Sequence, residues 1–171
     1  MPEKKTIERA RADKRAGKSA STQAGEFVKE EFDRVRAGKH GVRSAKQAVA
    51  IGLAKARRAG VDLKPPPQGT TSEATRRKAA KDLAAGKTRA GLESKAKRSR
   101  ATTQVLKRES QAGASPQAVS KQAKTAAARR PAASRSAAAK KAAQTKGAAG
   151  RSAAAKKAAK TRAARAQHTR H

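Results

Sequence analysis

The residues in this sequence with the clearest chemistry are its cations. Lys and Arg number 44 against 12 Asp and Glu, a net charge of +32. Their distribution matters more than their total. After Glu109 there is no further carboxylate, and fifteen Lys or Arg follow. Ammonium and guanidinium groups without acidic partners neutralise phosphates and release condensed counterions, so affinity falls steeply with salt. The candidate contacts in this stretch are Arg129, Arg130, Arg135, Lys140, Lys141, Lys146, Arg151, Lys156, Lys157, Lys160, Arg162 and Arg165. Lys46, Arg57 and Arg58 add a second, smaller basic group near residue 50. A tail serving only solubility is the bland alternative, and fifteen cations without one acid are an unusual way to obtain it.

Other chemistry finds little support. The three histidines are His40, in a turn where it can cap a helix end, and His168 and His171 at the C-terminus. Two ligands fall short of the four that a structural zinc site wants, and no cysteine supplies thiolates. Glu26, Glu30 and Asp33 share a helix face, which reads as a solvated or salt-bridging surface. The run Gly38-Lys39-His40-Gly41 is too short for a phosphate-binding P-loop. The expectation is a non-enzymatic protein without cofactor or metal.

Two helices joined near residue 40 suggest a helix-turn-helix, with Lys46 and Gln47 at the start of the second helix. The connector exceeds the usual 3–4 residues, and Gln47 is already explained as a cap. RNA is the nearest competing polymer, since charge alone does not separate it from DNA. Single-strand readers stack bases on aromatic rings, and here the candidates are Phe27 and Phe32, both on an apolar helix face. No stretch approaches the ~20 apolar residues of a membrane span. The N-terminus lacks the apolar run of a secretory signal.

These cations need elements to hold them. Residues 21–63 read as a two-helix anchor, because they hold both Phe and most bulky aliphatic residues. The first helix is expected over 22–37, capped by Ser21 or Thr22. Ala24, Phe27, Val28, Phe32 and Val35 form its apolar face, and Glu30 and Arg34 pair at i,i+4. Gly38 stops it. The second opens at Ser44 with Gln47 completing a capping box. Ala45, Val49, Gly52, Leu53 and Ala56 lie on one side, Lys46, Gln47, Arg57 and Arg58 on the other. Gly52 admits a close partner backbone, and Gly60-Val61 closes the helix.

Residues 1–20 are expected to form a charged helix, docked through Ile7 or fraying in solvent. Residues 64–70 are a proline-rich linker. Residues 71–110 are a charged arm of two helices, 71–85 and 92–110, extended or loosely docked. The first of these has a Thr70/Glu73 capping box, Glu73–Arg77 and Lys78–Asp82 pairs and a stop at Gly86. Residues 111–171 are expected to be a largely disordered tail rich in Ala, Lys and Arg. Within it Arg135-Ser136-Ala137-Ala138-Ala139-Lys140-Lys141-Ala142-Ala143 returns sixteen residues later as 151–159, with Gly147 and Gly150 between the copies. The fold class is thus mostly α. A two-helix unit of this size seldom stands alone, so homo-oligomerisation through 21–63 is a further expectation.

The motifs Gly25-Glu26-Phe27-Val28, Gly38-Lys39-His40-Gly41, Arg43-Ser44, Lys46-Gln47-Ala48, Ala50-Ile51-Gly52-Leu53 and Ala56-Arg57-Arg58-Ala59-Gly60 resemble a family of small basic bacterial proteins. That family is catalogued as a domain of unknown function, and the likeness covers residues 1–67. It implies a bacterial origin and transfers no activity. The tail resembles those of linker histones and similar bacterial chromatin proteins, through composition. Together these readings point to a nucleoid-associated, histone-like protein of the bacterial cytoplasm that binds DNA through phosphates.

Overall fold

The computed structural model describes residues 2–88 and 95–168, with side chains at all of these except 95–99 and 165–168. Among them every regular element is helical: α1 (Lys4–Arg15), α2 (Ala20–Arg36), α3 (Ala45–Arg58), α4 (Glu73–Lys87), α5 (Lys95–Lys107), a 3-10 turn (Gln111–Ala114), α6 (Pro116–Ala128) and α7 (Ala132–His168). The chain divides after Gln122 into two units.

The anchor forms as an antiparallel helix pair. Phe27 and Ala24, early in α2, pack with Ala56 and Leu53, late in α3. Phe32 and Val35, late in α2, pack with Ala45 and Ala48, early in α3. Between these two apolar clusters the helices cross at Gly52, where a Cβ would stand 2.6 Å from Val28 Cα. Glycine is therefore required there by proximity.

Helix ends follow local chemistry. Ser44 caps α3 by accepting from Gln47 N–H at 3.3 Å, and Gln47 Oε1 accepts from Arg43 N–H at 2.8 Å. The reciprocal bond thus lands one residue before the cap. α1, α2 and α3 each close on a left-handed glycine, at Gly17, Gly38 and Gly60. After Gly60, the Val61 N–H reaches back to Ala56 O at 3.1 Å, the long bond of a Schellman motif. The cap of α2 is Ser19, which accepts from Thr22 N–H, so this helix starts two residues before the expected position. α4 is capped by Ser72 in place of Thr70, whose hydroxyl instead donates to Pro67 O at 2.6 Å.

The flanking segments are docked. α1 buries Thr6 and Ala10, and Ile7 packs beside Phe27's cluster. α4, expected to be extended or loosely held, packs on α3 through Ala79, Asp82 and Gly86. Gly86 does not stop α4. It lies within the helix, where a Cβ would come within 2.0 Å of Arg57 O. Asp82 faces Arg58 across that contact at 3.7 Å, in place of Lys78.

Residues 105–122 also leave the expected arm and tail. Leu106 is buried, and its carbonyl accepts from Gly41 N–H at 2.9 Å, while Ser110 O accepts from Val42 N–H at 2.8 Å. Ala114 is buried in the cluster around Phe32, with Ala118 and Val119 packed beside it. Gly41 and Gly113 leave no room for a side chain at these backbone approaches. The anchor is thus completed by its own chain, through α1, α4 and this strap. Leu92, the expected start of α5, lies outside the described residues.

In the second unit the described residues of the tail lie mostly in helices. Alanine is the strongest helix former, and α7 runs over Ala132–His168 with one break at Gly147, where φ is 64° and ψ 172°.

Candidate nucleic-acid interface

Most described acids of the first unit are already engaged. Asp13 pairs with Lys18 at 2.7 Å, Glu26 with Arg9 at 2.6 Å, Asp33 with Lys29 at 2.8 Å and Glu109 with Arg43 at 3.2 Å. The pairing with Asp13 raises the Lys18 pKa, its hydrogen bond first and its charge second. Glu73 holds Arg76 at 3.1 Å and Arg77 at 3.7 Å. Arg34 lies 3.0 Å from Glu30, as its spacing predicts, though its Nε–H is not aligned for a hydrogen bond. Glu30 does not project into solvent with Glu26 and Asp33. It is buried, and the Glu3 backbone N–H donates to its carboxylate at 3.3 Å.

Glu31 escaped sequence reasoning altogether. It is fully buried between α2 and α3, paired with Lys55 Nζ and 3.4 Å from His40 Nε2. His40 therefore belongs to an interior polar cluster, its Nδ1 lying 3.0 Å from Gly41 O.

The basic group near residue 50 divides under the same constraint. Lys46 is exposed on the first turn of α3. Arg57 is buried, which corrects its placement on the solvent face. Its Nε donates to Leu63 O at 3.0 Å and its Nη2 to Lys64 O at 3.4 Å, so it clamps the segment leaving α3. Burial lowers its pKa, with Asp82 opposing. Arg58 is half-buried against Asp82. Arg57 is an interior residue and Arg58 a half-buried one held by Asp82, whereas Lys46 faces solvent.

The tail cations are arranged otherwise. Arg129 and Arg130 are exposed at the end of α6 and in the turn before α7. Arg135, Lys140, Lys141 and Lys146 are exposed before the break in α7, and Arg151, Lys156, Lys157, Lys160 and Arg162 after it. Arg151 Nη1 donates to Ala143 O at 2.7 Å, tying the two sides of the break. The side chains of Arg165 and His168, and all of His171, lie outside the described residues. Exposed Lys78 and Lys81 on α4 and Lys107 and Arg108 near the strap add cations that sequence reasoning did not single out.

The antiparallel pair, its Gly52 crossing and the Gly60 cap all fall within one stretch of sequence. Residues 11–68 match a family of unknown function (DUF6496). This DUF6496 segment spans the end of α1, all of α2 and α3 and the proline run, but neither α4 nor the tail. No curated protein and no solved structure matches the chain. No helix among the described residues is long and apolar enough to cross a membrane.

Proposed function

We propose that this chain is a non-enzymatic, histone-like DNA-binding protein, associated with the nucleoid in the bacterial cytoplasm. The DUF6496 segment with its docked flanks is a folded anchor, and the helices beyond Gln122 bind duplex phosphates with little sequence preference. The observation that carries this reading is the segregation of charge. Most described acids of the first unit pair with its own cations, while the sequence after Glu109 holds none to compensate fifteen Lys and Arg. Compaction or bridging of DNA follows where the anchors of two chains pair. RNA is the weaker partner: Phe27 and Phe32 are buried, and the sequence holds no Trp or Tyr to stack a base.

The test is a salt titration of binding to random-sequence duplex DNA with structured RNA as competitor. With about half the tail cations engaged, log affinity falls against log salt with a slope of about −6. Replacing Lys140, Lys141, Lys156, Lys157 and Lys160 with Gln lowers affinity on every sequence and flattens that slope. An unchanged slope, or RNA competing more than tenfold better than DNA, rejects the reading.

A further inference from the structure

The repeat is longer than its nine identical residues. Residues 135–146 and 151–162 correspond throughout, differing only where Gln144 becomes Lys160 and Lys146 becomes Arg162. The structure treats both copies alike. Each is helical, one on either side of Gly147, and the equivalent threonines make the same backward bond: Thr145 Oγ1 to Lys141 O at 2.9 Å, Thr161 Oγ1 to Lys157 O at 3.0 Å.

Within each copy the cations form two opposed stripes. At about 100° per residue, Arg135 and Lys146 lie within about 20° of each other, while Lys140 and Lys141 lie about 140° and 240° around from Arg135. Arg151 and Arg162 repeat the first stripe, and Lys156, Lys160 and Lys157 the second. All these side chains are exposed. Between the stripes one flank carries only small residues, Ala139 and Ala143 in the first copy and Ala155 and Ala159 in the second.

Two stripes on opposite sides of one helix cannot lie on a single row of phosphates. They suit a channel with phosphates on both walls. A helix with its side chains is about 10–12 Å across, and the B-DNA major groove is about 12 Å wide and 8.5 Å deep. A flank of alanines makes this helix slim enough to enter. The A-form major groove of RNA is too deep and narrow for side chains to read.

We propose that each repeat copy seats lengthwise in the major groove of B-form DNA, with Arg135 and Lys146 (Arg151 and Arg162 in the second copy) toward one phosphate wall, Lys140 (Lys156) toward the other, the alanine flank toward the base edges and Lys141 (Lys157) on the outward side. The break at Gly147 lets the second copy take its own axis as the groove winds. This rests on the DNA-binding reading and sharpens it, since it selects B-form duplex over double-stranded RNA and one groove over the other.

The test uses the full chain at fixed salt with three probes: a DNA duplex, the same duplex carrying glucosylated hydroxymethylcytosine to fill the major groove, and double-stranded RNA of equal length. Binding to the second and third is expected to be at least tenfold weaker, and saturating the minor groove with netropsin is expected to leave DNA binding unchanged. A companion variant moves charge without changing composition: Lys140→Ala, Lys141→Ala, Ala139→Lys and Ala142→Lys, with Lys156→Ala, Lys157→Ala, Ala155→Lys and Ala158→Lys. It gathers most cations of each copy on one face and is expected to lose about tenfold on unmodified DNA. Equal affinity for the filled and open grooves, or an unaffected variant, overturns the groove seating and leaves phosphate binding standing. Absence of salt-dependent binding to all three probes overturns both readings.

Discussion

Glu31 of α2 and Lys55 of α3 form an ion pair inside the helical core, the carboxylate fully buried and the lysine side chain 14% exposed. Removing one partner from such a pair leaves an uncompensated buried charge, which typically costs about 3–5 kcal/mol. Lys55→Met is therefore expected to lower the melting temperature sharply. Replacing both partners, with Glu31→Leu added, is expected to recover most of the loss. Thermal unfolding of the two variants checks this, and a double variant no better than the single one refutes it.

Gly52 and Gly25 make a matched pair of tests. A Cβ at Gly52 meets Val28 Cα at 2.6 Å, whereas a Cβ at Gly25 meets nothing within 4 Å. Gly52→Ala forces α2 and α3 apart, a kind of overpacking that costs about 1–3 kcal/mol. Gly25→Ala, on an exposed helical site, gains about 0.5–1 kcal/mol. Opposite signs in denaturant midpoints are the expected result.

Arg57 separates structural from binding cations. Its bonds to Leu63 O and Lys64 O hold the chain after α3, and hydrogen bonds to charged groups contribute about 1.5–3 kcal/mol. Arg57→Ala is expected to destabilise by about that amount, and Arg57→Lys to restore little, because an ammonium lacks the forked geometry. DNA affinity of the folded variant is expected to match the parent. Lys46→Ala, on the exposed first turn, is expected to leave stability unchanged.

The helices of the anchor were legible because their signals are local. Ser44 with Gln47, Gly38, Gly60 and the apolar spacing of Phe27, Phe32 and Val35 each act within one or two turns. What sequence alone did not reveal depends on distant partners. Glu31 reads as one more surface acid until Lys55 and His40 meet it, and Arg57 as one more surface cation until residues 63–64 fold over it. Gly86 and Gly41 read as turn glycines, though each marks a backbone approach from far along the chain. The start of α6 was visible: Ser115 accepts from Ala118 N–H at 3.2 Å, and a cap followed by proline is a helix-start signal. Val119 is the one aliphatic residue larger than alanine after Ser110, and its packing beside the Phe32 cluster explains its presence there.

That packing sets where the chain can be cut. Ending it after Gln122 keeps Leu106, Ala114, Ala118 and Val119 on the core, and the truncated protein is expected to melt cooperatively near the parent temperature. Ending it at Glu109 strips Ala114, Ala118 and Val119 from the cluster around Phe32 and Val42 and exposes it. Burying a side chain the size of Val contributes up to about 1.5–3 kcal/mol when complete, so the loss from this half-buried strap is expected to reach about 2 kcal/mol or more. Both truncations lose the α7 cations, so both are expected to lose most of the salt slope while only the shorter is destabilised. Should the two melt alike, residues 110–122 carry no weight in the core, and the first unit ends where its last acid does.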